Sequence, residues 1–273
     1  MDRNILIGAI GVLAFAVAAV AAYVRLRYAS RRAGAVLLSA ATAGITLNVL
    51  WLITDLRARG VLNALRGGDD AALLMGLLLA LVGISIAWTP TLRGLEGLFL
   101  LFAAAAQVVA VTLAREPTRD PTYLSWFISH GLAFALASAC FVAAGCAGVA
   151  YRLVYRHLRR KRGTQWAGQV PPLEALERFG RWMLTIGFPI YTYGMLTGVC
   201  GLAHREDIRQ TAWYLDVSVI LSILVWIVYG YGLWALICRP QLRGPRAAAL
   251  SAGAMVLLLA ALLAQLLASP IHS

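Results

Sequence analysis

Residues 126–151 read WFISHGLAFALASACFVAAGCAGVAY, without a single charged side chain. About 20 consecutive apolar residues suffice for a helix to cross the hydrocarbon core of a membrane, so this stretch predicts a transmembrane helix. Hydrophobic residues make up 61% of the 273 residues and charged residues only 13%, whereas a soluble domain carries about 25% charge. A chain of this size cannot bury so much apolar surface in its own core, which excludes the soluble globular and disordered classes.

The stretch is one of eight such runs along the chain. We therefore predict an all-α fold, a polytopic integral membrane bundle of about eight transmembrane helices forming a single domain over 1–273. The first run is interpreted as a retained span, because it ends at Arg25 and Arg27 and lacks the basic start of a signal peptide. Pro171 and the leucines and acids of 173–179 predict a short interfacial helix before the sixth span. The other predicted spans are about 5–24, 33–53, 71–88, 97–114, 182–203, 213–238 and 247–268.

Basic residues indicate how the bundle is oriented. If the N-terminus is outside and the chain crosses eight times, sixteen of the 24 Lys and Arg residues fall on the inward side, and nine of the 12 acids fall outside. Inward loops carry the positive excess in membrane proteins. We expect both termini on the outer, periplasmic side of the cytoplasmic (inner) membrane. The net charge of +12 is then a topology signal, with no nucleic acid implied, and the basic run at 155–162 is expected to contact anionic lipid headgroups.

Three of the four histidines, His130, His204 and His272, are predicted near the outer face, and His157 lies on the inner side. Two imidazoles from different helices at one depth suit axial ligation of a haem iron. For any single histidine, spacing alone favours an interfacial residue hydrogen-bonded to nearby backbone. Trp213 and Asp216 share a helix face by their spacing, which fits either a site or an ordinary helix start with an interfacial tryptophan.

Other polar and small residues have simpler interpretations. The intramembrane amides Asn48, Gln107 and Gln265 are expected to hydrogen-bond between helices. The small residues at 145–149 predict a close helix approach, either within the chain or in a dimer. The sequence contains no hydrolase triad, metalloprotease motif, phosphate-binding loop or dinucleotide fingerprint. A self-contained enzyme is therefore not expected.

Several segments together resemble the cytochrome c assembly superfamily, the CcsA/ResC-like haem-handling proteins, and especially their smaller HemX-like and YpjD-like relatives. The resemblance covers about 120–273 and is fainter in the N-terminal spans, about 1–114. Residues 126–130 are similar to the family helix start that carries an outer histidine. Residues 173–177 (LEALE) and 187–198 resemble the run before the family's signature loop. Residues 213–216 (WYLD) stand where the tryptophan-rich motif ends, and 272–273 (HS) resemble the family's histidine at the terminus.

The resemblance implies a haem-handling membrane protein that assists cytochrome c maturation. It makes His130 and His272 the expected axial ligands of the iron, with His204 as a third candidate. Trp213, Asp216 and Trp226 would shape the haem pocket. Cytochrome c assembly subunits or an apocytochrome are the implied partners, besides membrane lipid.

Two departures from the family pattern limit the likeness. Leu215 replaces a tryptophan of the motif, and Trp234 stands where CcsA proteins have an intramembrane histidine. They favour the HemX-like relatives over a full synthase subunit. The alternative function is therefore a HemX-type regulator or scaffold that binds no haem and contacts a tetrapyrrole biosynthesis enzyme through the cytoplasmic loop 152–181.

Overall fold

The computed structural model describes residues 3–28, 30–59, 68–113, 124–159, 171–203, 217–239 and 244–268. These residues are helical almost throughout, with no strand among them, and a short 3-10 turn, Pro90–Leu92, joins the third helix to the fourth. Eight of the helices are long and apolar enough to cross a membrane, which confirms the predicted all-α, eight-span fold. They are α1 (Arg3–Tyr28), α2 (Arg31–Arg59), α3 (Gly68–Ala87), α4 (Glu96–Leu113), α5 (Leu124–Arg159), α6 (Leu173–Ala203), α7 (Val217–Cys238) and α8 (Pro245–Ala268).

The sixth helix differs from its prediction. The separate interfacial helix expected at 173–179 is the beginning of α6, which runs unbroken to Ala203. Tertiary packing explains the continuity: Leu176 is buried, and the ring of Phe179 lies edge-on against Phe99 of α4 at a centroid distance of 6.0 Å. The charged residues of this segment therefore belong to the first turns of a spanning helix.

The helices pack as two groups, α1–α4 and α5–α8, which meet mainly through α3 and α5. The central helix α5 contacts α6 on one side and α8 on another. A Cβ added to Gly148 would lie 2.6 Å from the carbonyl oxygen of Ala248, and one added to Gly145 would overlap Met255. The small residues at 145–149 therefore serve close packing within the chain.

Neighbouring helices run antiparallel, so the bundle has two distinct ends. On α1, for example, Gly8 faces Trp51 of α2, and Arg25 faces Gly34 at the opposite end of α2. We call the end where α1 finishes and α2 begins the basic end, and the opposite end the His130 end. Described arginines at the basic end include Arg25, Arg31, Arg152, Arg156, Arg159, Arg178, Arg181, Arg239 and Arg246.

A buried ion pair closes the N-terminal group at the basic end. The Nη1 atom of Arg25 lies 3.9 Å from Oε1 of Glu96, whose side chain is only 1% exposed. The guanidinium also donates to the carbonyl of Ala87, with Nη2 at 3.4 Å. Glu96 accepts the backbone N–H of Gly94, and Gly94 has a φ of +102°, in the region that favours glycine. The Arg25–Glu96 pair thus joins the ends of α1, α3 and α4.

Two buried amides lie in the same group of helices. Asn48 and Gln107 are 0% exposed, and neither side chain has a hydrogen-bond partner among the described residues. The expectation that they bond between helices is therefore wrong. Gly76 faces Asn48 and Gly11 faces Gln107, and a glycine has no polar side chain to offer as a partner. The side chain of Gln265 lies outside the described part of the structure.

Candidate functional site

His130 lies near the start of α5 and is fixed by a backbone group of α6. Its Nδ1 atom is 2.7 Å from the carbonyl oxygen of Gly194. A carbonyl oxygen only accepts hydrogen bonds, so Nδ1 carries the proton and donates it. In the neutral ring this leaves a lone pair on Nε2, the atom that is then free to coordinate a metal.

Two glycines of α6 make room for this imidazole. A Cβ added to Gly198 would lie 2.6 Å from Cε1 and 2.7 Å from Nδ1 of His130. A Cβ added to Gly194 would lie 2.7 Å from Cδ2 of Phe134. Glycines four residues apart occupy one helix face and let a neighbour approach closely. They form a notch, here called the glycine socket (Gly194 and Gly198), that receives the His130 and Phe134 rings.

A hydroxyl group supports the socket from within α6. Thr197 donates from Oγ1 to the Gly194 carbonyl at 2.9 Å, and Thr197 is almost fully buried. The same hydroxyl lies 3.0 Å from the carbonyl oxygen of Tyr193, so its single proton is shared between two acceptors, and the Gly194 oxygen accepts from His130 and in part from Thr197. The bond from Thr197 helps to hold in place the Gly194 carbonyl, which orients the imidazole.

Aromatic rings continue from His130 toward the middle of the bundle. The ring centroids of His130 and Phe134 are 4.6 Å apart, and those of Phe134 and Tyr191 are also 4.6 Å apart. Phe141 lies between Tyr191, at 5.4 Å, and Tyr229, on which it stacks at 3.7 Å. The tilted contacts among these rings add to the energy of burial, whereas Phe141 and Tyr229 stack face to face, 6° from parallel. Together the rings form a wall beneath the imidazole.

Trp226 lies on α7 and packs against a different part of α6. Its Nε1 donates to the hydroxyl of Thr192 at 3.0 Å, and its ring stacks near Phe188 at 5.7 Å. Thr192 is two residues from Gly194, which is more than half a helical turn. Thr192, and Phe188 about one turn before it, therefore lie on another face of α6 than the glycine socket. The structure therefore does not bring Trp226 into contact with His130.

Four predicted site residues, His204, Trp213, Asp216 and His272, lie outside the described residues. Their described neighbours in the chain, Ala203, Val217 and Ala268, all end or begin helices at the His130 end. Among the described residues, no three His, Cys, Asp or Glu side chains cluster as a metal site. Both histidines predicted to accompany His130, His272 and His204, lie outside the described part of the chain.

Sequence reasoning selected His130 but missed the glycine socket and Thr197. The spacing of Gly194 and Gly198 is visible in the sequence, and it signals a close helix contact. It does not say which neighbouring side chain enters the notch. That information exists only once α5 and α6 are packed in register.

These features are those of a multi-pass helical membrane protein with an imidazole held at one end of the bundle. The family model described as Cytochrome C assembly protein matches residues 6–272, so the chain belongs to the cytochrome c assembly family. The match begins within α1 and thus extends the resemblance, which was fainter before residue 120, across the first four helices. No curated protein and no solved structure matches the chain. Family membership supports a role in cytochrome c maturation.

Proposed function

We propose that this protein binds haem at the His130 end during cytochrome c maturation, with Nε2 of His130 as an axial ligand of the iron. The observation that carries the proposal is the 2.7 Å bond from Nδ1 to the Gly194 carbonyl. Histidines that ligate metals usually donate the other ring N–H to a carbonyl or carboxylate, which fixes the tautomer and the ring direction. The family match supplies the biological context.

The residues present fit a haem better than a bare metal ion. A bare ion requires several protein ligands close together, whereas haem iron takes only its axial ligands from the protein. His130 meets this need with one oriented nitrogen above a wall of aromatic rings. When bound, the haem supplies the iron porphyrin that a c-type cytochrome receives. The chain itself holds and orients it, and we propose no catalytic residue.

The second axial ligand in this proposal is His272, with His204 as the other candidate. Trp213 and Asp216 are proposed to shape the pocket at the start of the seventh span. Trp226 anchors α7 to α6 through Thr192, on a face of α6 beside the glycine socket. The partners proposed for this end are an apocytochrome or other assembly subunits.

The positive-inside rule places the basic end in the cytoplasm. We propose accordingly that the His130 end, with both termini, faces the periplasm of a cytoplasmic (inner) membrane. Reporter fusions after Tyr28 and after Leu113 should report opposite sides. An active periplasmic reporter after Leu113 and a cytoplasmic one after Tyr28 are expected, and the reverse pair would overturn the orientation.

Absorption spectra of the purified protein, oxidised and dithionite-reduced, with and without added haemin, test haem binding. We expect a Soret band with low-spin α and β bands that is lost in His130→Ala and in His272→Ala. His157→Ala is the matched control, because His157 is exposed at the basic end. Added imidazole should restore a low-spin spectrum to His130→Gly. A protein that takes up no haem, or variants with unchanged spectra, would overturn the proposal.

One observation favours the second candidate, a HemX-type regulator or scaffold without haem. Helix α5 has 36 residues, about 54 Å at 1.5 Å per residue, and the hydrocarbon core needs only about 30 Å. Its last turns, with exposed Arg156 and Arg159, extend past the core and offer a basic surface to a tetrapyrrole biosynthesis enzyme. Neutralising both arginines should then abolish recovery of that enzyme with the membrane protein, and unchanged recovery would exclude this function.

A further inference from the structure

A cavity opens between α6, α7 and α8, away from the glycine socket. Its volume is about 180 Å³, and nearly all of its lining is apolar, including Leu184, Val228, Leu236 and Leu250. Interiors are otherwise packed to the density of organic crystals. Atoms around an empty apolar space lose their van der Waals contacts, so a cavity of this kind favours an apolar occupant.

The cavity extends over the depth of one membrane leaflet. Along α8 its lining reaches from Arg246 to Ala254, about 12 Å at 1.5 Å per residue. One leaflet contributes about 15 Å of hydrocarbon. Arg246 lies in the first turn of α8 at the basic end, and Ala254 lies near the middle of that helix. The long dimension of the cavity thus runs parallel to lipid chains.

The mouth of the cavity is polar and basic. Arg246 is exposed and belongs to the lining. A smaller cavity of about 20 Å³ adjoins it through the shared residues Leu236, Ala247 and Ser251. Its lining adds Tyr151, Arg181 and Glu177. Glu177 and Arg181 lie four residues apart and offset each other in charge, so Arg246 is the net positive group at the mouth.

We infer that this cavity is a specific site for an anionic phospholipid, with the part of one acyl chain nearest the headgroup inside it and the headgroup phosphate bound by Arg246. Guanidinium groups bind phosphate oxygens with two parallel hydrogen bonds. Basic pockets between transmembrane helices at the cytoplasmic side are typical sites for anionic headgroups. A porphyrin is too large for the space, since about 150 Å³ holds a single benzene ring. A small uncharged ring compound could fill the space, but it would offer no anionic group for Arg246 to bind.

Lipid-induced thermal stabilisation of the purified full chain tests the inference. Dioleoyl phosphatidylglycerol and dioleoyl phosphatidylcholine have the same chains and differ in headgroup charge. We expect the anionic lipid to raise the unfolding temperature at lower concentration. Arg246→Gln should weaken that apparent affinity about fivefold, from about 1 kcal/mol per arginine.

Arg239→Gln is the matched control for charge. Arg239 lies at the same end on α7, with its guanidinium over the Trp234 ring at 5.4 Å, and it does not line the cavity. Equal losses in the two arginine variants would overturn the inference in favour of general surface charge. Equal stabilisation by the two lipids would overturn the headgroup site.

A second pair of variants tests the chain position. Gly232 lines the cavity, and a Cβ there would meet Leu250 at an ordinary 3.4 Å, so Gly232→Leu can fill the space. Gly253→Leu is its control, because nothing lies within 4 Å of a Cβ at Gly253. Only Gly232→Leu should remove the lipid effect. If Gly232→Leu keeps the lipid effect, the inference is wrong. It is also wrong if menadione, an uncharged quinone, stabilises the protein and phosphatidylglycerol does not.

Discussion

Replacing Gly198 by alanine should damage the His130 site from the opposite helix. The added Cβ would lie 2.6 Å from Cε1 of His130, whereas carbon atoms in contact are about 3.5–4.0 Å apart. The imidazole must therefore move by about 1 Å. The bond from Nδ1 to Gly194, now 2.7 Å, would then exceed the roughly 3.2 Å limit of a good N–H···O bond.

The effect of Gly198→Ala on the free energy of unfolding has three contributions. Overpacking costs about 1–3 kcal/mol, and a lost hydrogen bond between transmembrane helices costs about 0.6–1.7 kcal/mol. Alanine regains about 0.5–1 kcal/mol over glycine within a helix. We expect Gly198→Ala to lower the free energy of unfolding by about 1–4 kcal/mol. Loss of an orienting bond typically weakens metal binding about 10–100-fold, so haem affinity should fall by that factor.

Haemin titration followed at the Soret band measures the affinity, and unfolding in detergent measures the stability. Gly253→Ala is the control, since its Cβ meets nothing within 4 Å and only the helix-propensity gain applies. Haem binding by Gly198→Ala with unchanged affinity and unchanged low-spin bands would refute the role of the glycine socket. Equal loss in both variants would refute the steric argument.

Two predictions concern stability in the N-terminal group. Gln107→Met should raise the free energy of unfolding by about 1–3 kcal/mol, because it removes a buried amide without partners at little change of shape; a lower unfolding temperature would show that the amide is satisfied. Glu96→Gln should lower it by about 1–3 kcal/mol, less than the roughly 3–5 kcal/mol of a fully buried pair, because Arg25 keeps the Ala87 carbonyl. The exposed Glu174→Gln is the control, and equal stability of the two glutamine variants would contradict the buried pair.

Much of the fold follows from apolar run length alone, because a membrane accepts few structures besides helices. The failures have a common physical cause. The start of α6 carries charges at 174, 177 and 178, which suggested an interfacial segment, yet burial of Leu176 extends the spanning helix. Asn48 and Gln107 were expected to bond between helices, yet each faces a glycine. In both cases the outcome depends on which side chains of a neighbouring helix face the residue. The rotation of that neighbouring helix cannot be read from the residue's own stretch of sequence.

The candidate site shows the same limit from the other direction. His130 stood out because polar residues are rare in such a chain, but its orientation depends on a helix more than sixty residues away. The ring's tautomer, the notch that receives it and the carbonyl that holds it all come from α6. Only the packed pair of helices makes His130 more than an interfacial polar residue.

The register of α5 against α6 explains why one helix pair can hold the imidazole at a fixed height. Gly180, Gly187 and Gly194 are seven residues apart and face Ala147, Cys140 and Phe134 in turn. A seven-residue repeat keeps two helices in contact along their whole length. A glycine contact at each step resists sliding, because a shift of one residue would put larger α6 side chains in place of the glycines at these contacts. The position of His130 is therefore set by the entire interface, and not by the socket alone.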